Sequence, residues 1–399
     1  MAKTFIAFIF CCAVLSGCSD FVNDVEEPID SVDSDLLTDE SQIDFLIIGI
    51  QQRFATTYSR TVVLADALSD LLFFDQNVSG ATFSSFEEID DGQIQLDNAS
   101  VEELFLQLGE LRFLADDLIV RVNAIDFMDP DKEREALYVG YFFGGIARYL
   151  YATYSGLTEN QGGGVIDNGP FIPSAAMYQG AVERLQQALA QTSSQAEKRL
   201  VNAIIARSFL FSGDDGNALR FAREGLVQGD APFQALYSSE SDNFYWSQAG
   251  RGRNQFVVDG RFHAYILEDP TESARIQIER LTGRGGGEFW RQVRYPEIDT
   301  PIDFISWQEN DLMRAEIELR TGLVADALAR VNTIRSSFGI APLTSLNTAE
   351  LSREREKTLF AQGLRLVDQR RLNQFHLADD AWRYLPIPAS ERRNNPNLD

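Results

Sequence analysis

From residue 41 onward apolar residues recur at three- and four-residue spacing, the period of an amphipathic helix. Gln42–Thr57 carries Ile43, Leu46, Ile47, Ile50 and Phe54, and Thr61–Phe74 continues the pattern with Val62, Ala65, Leu68 and Leu72. Val101–Ile125 and the aromatic-rich Glu133–Tyr154 predict two long helices. Arg148 interrupts the apolar run of the second, which therefore reads as a buried helix and not a membrane span. Its Gly140 and Gly144 predict close helix packing. Ala175–Gln191, Ala196–Ser212 and Asp215–Gln228 follow. The last two form a helix–turn–helix broken at Ser212-Gly213, with the roughly 34-residue length of a tetratricopeptide unit. Glu309–Arg320 and Val324–Phe338, broken at Thr321-Gly322, predict a second hairpin. Hairpins with one apolar face must stack, so the expected fold is mainly α, with tetratricopeptide-like helical hairpins.

Residues 230–308 break this rhythm. Gly, Pro, Asn and Ser recur, and Gln255–Val258 and Phe262–Ile266 read as short β-prone pieces. A loop-rich irregular segment on a helical scaffold is where binding residues usually lie. Gly162–Gly164 and Gly283–Gly287 read as mobile loops, since neither carries the Gly-Lys-Ser/Thr ending of a phosphate loop.

Composition narrows the chemistry. Lys plus Arg is 35 against 60 Asp plus Glu, a net charge of −25. That disfavours nucleic acid and anionic headgroups as partners. Two histidines (His263, His376) and three cysteines leave little from which to build a metal or cysteine–histidine centre, so no cofactor and no metal is expected.

The first residues set the compartment. Lys3 precedes an apolar run from Phe5 to Leu15, the pattern of a secretory leader. Leu15-Ser16-Gly17-Cys18 resembles the bacterial lipobox, which makes Cys18 the expected lipidation site after removal of residues 1–17. Residues 19–40 hold nine acidic and no basic side chains. Residues 18–40 are thus expected to be a lipidated acidic tether, and 41–399 the folded domain.

Three C-terminal segments are more specific. The first runs from Ile305-Ser306-Trp307-Gln308-Glu309 through Arg314-Ala315-Glu316 to Asn332-Thr333-Ile334-Arg335. The second is Glu354-Arg355-Glu356-Lys357 through Gln362-Gly363-Leu364-Arg365, with Asp368 and Arg371 after it. The third is Leu385-Pro386-Ile387-Pro388, followed by Glu391 and Asn395-Pro396. Glu354, Arg355, Arg365, Asp368 and Arg371 are spaced for an ion-pair network between helices, and Arg335 with Glu316 for another. The two prolines predict an extended clamp for the C-terminus.

The order and spacing of these segments, with Cys18 and the hairpins, resemble the SusD/RagB family of outer-membrane nutrient-binding lipoproteins. Gln362 stands where that family usually has glutamate, and the chain is short for it. The resemblance implies a non-catalytic, lipid-anchored protein on the outer face of the outer membrane. It implies capture of a nutrient oligomer, a glycan or a peptide, as the lid of a TonB-dependent SusC-like transporter. A helical-repeat scaffold for envelope assembly is the alternative. Sugar rings present apolar faces that match aromatic side chains. The candidate ligand residues are therefore Phe73, Phe74, Asp75 and Asn77 after the first helix, and Tyr245, Trp246, Arg251 and Arg261 in the irregular segment. Tyr245 and Trp246 are favoured among them, and Phe83, Phe86, Arg253, Phe256 and Tyr265 lie near in sequence.

Overall fold

The computed structural model describes residues 39–398. The expected leader 1–17, Cys18 and the tether up to residue 38 lie outside the described residues. Helix α1 (Ile43–Leu68) runs 26 residues, about 39 Å at 1.5 Å per residue. Its second half is buried on nearly every side, Val62, Val63, Leu64, Ala65 and Leu68 among them, so it forms the axis of the core. The predicted continuation to Phe74 does not occur. At Ser69 the chain becomes extended, and the Ser69 hydroxyl donates to Asp66 O while accepting from Leu71 N–H. Leu72–Phe73 is instead strand β1. A two-residue edge strand offers too little periodicity to be told from a helix end.

After α2 (Ser84–Asp90) come the long helices α3 (Ala99–Val122) and α4 (Pro130–Tyr154), capped by the side chains of Asn98 and Asp129. Close approach is visible at two glycines: a Cβ on Gly140 would lie 2.7 Å from Ile119, and one on Gly145 would lie 2.7 Å from Leu185. Helices α5 (Ser174–Gln191), α6 (Gln195–Ser212) and α7 (Asp215–Arg223) follow. Helix α7 stops five residues short of the predicted Gln228. The Asn310 amide explains this, donating to Ala222 O and Leu226 O and so satisfying carbonyls at the helix end. No helix among the described residues is long and apolar enough to cross a membrane.

Short elements fill the next stretch: β5 (Phe233–Ala235), α8 (Phe244–Ala249), β6 (Val257–Val258), α9 (Gly260–Glu268), β7 (Ile278–Thr282), β8 (Glu288–Gln292) and β9 (Ile302–Ile305). Phe262–Ile266 is helical, contrary to expectation. Asp259 caps the turn by accepting from Arg261 N–H, and Phe262, Tyr265 and Ile266 stand at helical spacing against the core. Helices α10 (Trp307–Arg320) and α11 (Val324–Ser337) form the second predicted hairpin, turning at Gly322 with φ +85°. Then come α12 (Thr348–Thr358), α13 (Arg365–Arg371), β10 (Leu385–Pro386) and α14 (Ala389–Asn394).

Gly162–Gly164 belongs to a strand, β3 (Gln161–Gly164), in the sheet ordered β10, β2 (Ser155–Thr158), β3, β4 (Ile172–Pro173). The glycines are there for space. A Cβ on Gly162 would lie 2.2 Å from the Tyr384 ring, and Gly163 has φ +142°. We expect Gly163→Ala to lower stability by at least about 1–3 kcal/mol, since its Cβ would add a 2.1 Å contact with Ile172 O to the backbone strain, measured by urea unfolding. In the same sheet Leu385 pairs in parallel with Ser155, and Ile387 N–H donates to Gly156 O, so the proline segment clamps the C-terminus as expected.

The C-terminal charges form two buried networks. Glu354 accepts from Arg275 at 2.8 Å and from Arg335 at 2.7 Å, and Lys357 lies 2.9 Å away. Asp368 accepts from Arg355 at 2.9 Å and from Arg371 at 2.7 Å, and Arg371 also reaches Glu316. Arg335 therefore pairs with Glu354 and not with Glu316. Despite burial, the Arg355 and Arg371 charges hold the Asp368 carboxyl down at about 2.

Candidate functional site

A four-stranded sheet ordered β1, β6, β8, β7 joins the two candidate regions. Leu72 pairs with Val258, Phe73 with Val257, and Val258 with Trp290, all antiparallel. Residues almost two hundred positions apart therefore share one surface. Beyond β1 the loop is held by specific bonds. Phe74 N–H donates to the Asp90 carboxylate at 2.9 Å, and Asn77 N–H to the Asp75 carboxylate at 2.7 Å. Gln255 Oε1 accepts from the backbone N–H groups of Thr82 and Phe83 at 3.0 and 3.2 Å.

Gly283–Gly287 is the turn of the β7–β8 hairpin and docks on this loop. Arg284 N–H donates to Asn77 O at 2.6 Å, and its guanidinium reaches Ser79 O at 3.4 Å. The expectation of a free loop is thus corrected. The hairpin escaped sequence reading because glycines at a turn and glycines in a loop look alike.

The surface itself centres on Phe83, which is 43% exposed. The Arg253 guanidinium lies 4.4 Å from its ring centroid and donates to Thr82 Oγ1 at 2.6 Å. Gln76, Asn77 and Ser79 are exposed on the loop that leads to it, and Arg284 is exposed on the turn docked on that loop. An exposed aromatic ring, a cation over it and amide and hydroxyl groups on the same loop can stack on an apolar ring face and bond its hydroxyls. Arg284 was not anticipated. Nothing in its glycine-rich context points to a contact with residues 77–79.

The predicted residues divide. Asn77 and Arg251 are exposed and Trp246 is partly exposed, with Arg251 paired to Glu279 at 3.2 Å. Phe73 and Phe74 are half-buried, packed on Phe289 and Phe256 at ring distances of 6.3 and 6.5 Å. Asp75 is half-buried and serves the Asn77 turn. Tyr245 must be corrected: it is 0% exposed, donates to Asp66 at 3.1 Å and packs on Tyr295. On a helix, neighbours point about 100° apart, so Tyr245 faces inward while Trp246 keeps some surface. Arg261 is likewise occupied, with Asp70 at 2.7 Å, Asp259 at 3.3 Å and Glu356 at 3.5 Å. It latches α9 to the end of α1 and carries no free charge toward a ligand.

Three carboxyls lie under this surface. Burial pushes Asp66 up to about 7, although it accepts from Gly363 N–H and Tyr245. Burial likewise pushes Asp90 up to about 7, helped by Asp91 and Glu87. Asp70 is also penalised by burial, yet bonds and charges from Arg365 and Arg261 hold it below the usual carboxylate range. His263 stacks on Trp290 at 3.7 Å between centroids, and His376 contacts Gln369, so both serve packing. Among the described residues no group of three or more His, Cys, Asp or Glu is placed to share a metal ion.

No family model and no curated protein sequence matches the chain. Solved structures match it closely in shape. A SusD superfamily protein from Bacteroides thetaiotaomicron superposes with a TM-score of 0.72 at 16% identity, covering 90% of this chain and 98% of its own. A SusD-like protein from Bacteroides fragilis gives 0.71 at 14% identity, over 93% and 99%. Surface glycan-binding protein A from Bacteroides thetaiotaomicron gives 0.68 at 13% identity, over 91% and 98%. The architecture built above, helical hairpins carrying a small-sheet corner, is the SusD-like fold.

Proposed function

We propose that this chain, built on the SusD-like fold, is a non-catalytic binding protein that captures an oligosaccharide on the face around Phe83. The observation that carries this reading is the exposed Phe83 with the Arg253 guanidinium over its ring, at the end of a loop that also exposes Asn77 and docks Arg284. Similarity in shape to a laminarin binding SusD-like protein and to a surface glycan-binding protein supports the ligand class. The finer reading follows the leader and lipobox: residues 1–17 are removed, Cys18 is lipidated, and residues 18–40 tether a domain from 41 to 399 at the outer surface of the outer membrane. There it passes its ligand to a TonB-dependent SusC-like transporter.

The test is isothermal titration of the chain from Ser19 onward against glucan, mannan and xylan oligomers and against peptides. Phe83→Ala and Arg253→Ala are each expected to weaken oligosaccharide binding about tenfold, or about 1.4 kcal/mol. Trp246→Ala is expected to weaken it less. Both Phe83 and Arg253 are exposed, so the variants should keep the parent melting temperature. Saturable binding of peptides alone would reject the glycan assignment. Failure to recover a β-barrel partner by crosslinking in native outer membrane would reject the transporter step.

A further inference from the structure

A separate cavity opens on the outer side of α3, where the helix passes the loop between β3 and β4. Its volume is about 310 Å³, near the lower end of the roughly 300–1,000 Å³ range of small-molecule pockets. Its lining shares no residue with the Phe83 face. Gly109 leaves room at the floor, and the Tyr151 hydroxyl lies 3.6 Å from where a Cβ on Gly109 would stand. Tyr151 is 2% exposed, and its hydroxyl has no hydrogen-bond partner among the described residues.

The rim is apolar and open to solvent. Leu106 and Phe113 are 58% and 54% exposed, and Val120, 67% exposed, continues their line along α3. A spacing of seven keeps the three on one side of the helix, over a rise of about 21 Å. The polar part of the lining is mostly carboxylate: Glu110, Asp167 and Glu391 stand with one guanidinium, that of Arg112. Arg112 is divided between Asp167 and Asp116, and Glu110 is paired with Arg53 at 3.0 Å. Glu391 is half-buried and has no Arg or Lys partner among the described residues; its carboxylate accepts from Asn395 Nδ2 at 3.1 Å. Burial raises the pKa of the Tyr151 hydroxyl, Arg112 opposes the rise, and Glu391 and Asp167 add to it. Both carboxylates therefore act on the free hydroxyl at the floor.

We propose that this cavity is a docking pocket for a basic side chain, arginine or lysine, of a polypeptide partner whose apolar residues lie along Leu106, Phe113 and Val120. The cation would pair with Glu391 and Asp167 and donate to the Tyr151 hydroxyl. Its alkyl stem would lie along Leu106 and Phe113, and the exposed Phe113 ring can also hold a cation. A neutral ligand would leave Glu391 without a counter-charge, and an anion would be repelled by the carboxylates. A free amine would fill the cavity but leave Val120 bare, about 10 Å along the helix from Phe113. An apolar stripe beside a charged pocket is the pattern by which one polypeptide segment docks on another. The site stands on its own geometry and does not depend on the Phe83 face.

The experiment is isothermal titration of the chain from Ser19 onward with a capped helical peptide that carries leucines seven apart and one arginine on the same face. The controls are the same peptide with citrulline, the neutral isostere, in place of arginine, and N-acetylarginine methylamide alone. Glu391→Gln keeps an acceptor for Asn395, Phe113→Ala changes an exposed site, and Tyr151→Phe removes a hydroxyl that bonds nothing in the fold, so all three are expected to keep the parent melting temperature. Phe83→Ala with Arg253→Ala tests the other face. We expect the arginine peptide to bind saturably and the citrulline peptide to bind about tenfold more weakly or worse. Each cavity variant is expected to weaken the arginine peptide several-fold, and the Phe83 double variant to change it less than twofold. Equal binding of the citrulline peptide would overturn the recognition of a cation. Binding of N-acetylarginine methylamide as tight as that of the peptide would overturn the polypeptide partner. An absence of peptide binding, or its loss in the Phe83 double variant alone, would overturn the site. Failure of oligosaccharide capture at the Phe83 face would reject that reading and leave this pocket standing.

Discussion

Replacing Arg207 by methionine is expected to destabilise the fold by about 3–5 kcal/mol, the cost of leaving a buried charge without its partner. Arg207 on α6 is 1% exposed and Glu309 on α10 is 0% exposed. The guanidinium donates to both Glu309 oxygens, at 2.6 and 2.5 Å, and to Phe304 O at 2.5 Å. Its central carbon also lies over the Phe304 ring, 4.7 Å from the centroid. Burial opposes the charge, but Glu309 beside it keeps Arg207 protonated, with its pKa raised. The residue thus joins two helical hairpins through one planar group. Urea unfolding of Arg207→Met should show a lower midpoint with an unchanged slope. The double variant Arg207→Met, Glu309→Leu should recover a large part of the loss, because no unpaired charge remains. A single variant as stable as the parent would show that the pair contributes nothing net.

The second large effect is on pH dependence. Asp66 and Asp90 both sit near 7 in the fold, against an ordinary value of 3.8. Between those values the native state binds more protons than the unfolded chain, so stability falls as pH rises. The contribution is complete below about pH 4 and is lost through about pH 7. For Asp66 a shift of about three units corresponds to at most about 4 kcal/mol. Asp368 acts in the opposite sense. Held near 2, it adds stability above about pH 4 that disappears as pH falls toward 2. Maximum stability from these groups is therefore expected in acid solution, near pH 4, with a decline toward pH 8. Asp66→Asn keeps an acceptor for Gly363 N–H and Tyr245 but cannot ionise. It should flatten the alkaline limb and be more stable than the parent at pH 8, by thermal melts across the pH range. An unchanged alkaline limb would show that Asp66 does not titrate there.

The success of the sequence reading differs by element. The hairpin Trp307–Arg320 and Val324–Ser337 was predicted to within two residues, because period and a turn glycine act locally. Arg355, Asp368 and Arg371 were legible as one ion-pair group, whereas Glu354 joins Arg275 and Arg335 instead, and Arg365 joins Asp70 and Glu356. Arg335 was assigned the wrong partner, since Glu354 and Glu316 are equally plausible until α12 is set beside α11. Arg207 was missed entirely. An arginine inside an apolar run is informative only when the helix carrying it proves to be buried.

The candidate face shows the same boundary. Phe83 and Arg253 were both visible as residues of the right type, yet 170 positions separate them in the chain. Only the pairing of β1 with β6 brings their loops together, and Gln255 then fixes the Phe83 backbone. Tyr245 and Trp246 share one sequence context; the helix turn points them apart, and packing on Asp66 and Tyr295 makes Tyr245 the buried one. The sequence by itself determined the helical periods and the charge partners close in sequence, because each depends on neighbours a few residues away. The tertiary structure alone decided which aromatics meet solvent, because burial is a property of the surfaces that distant segments bring together.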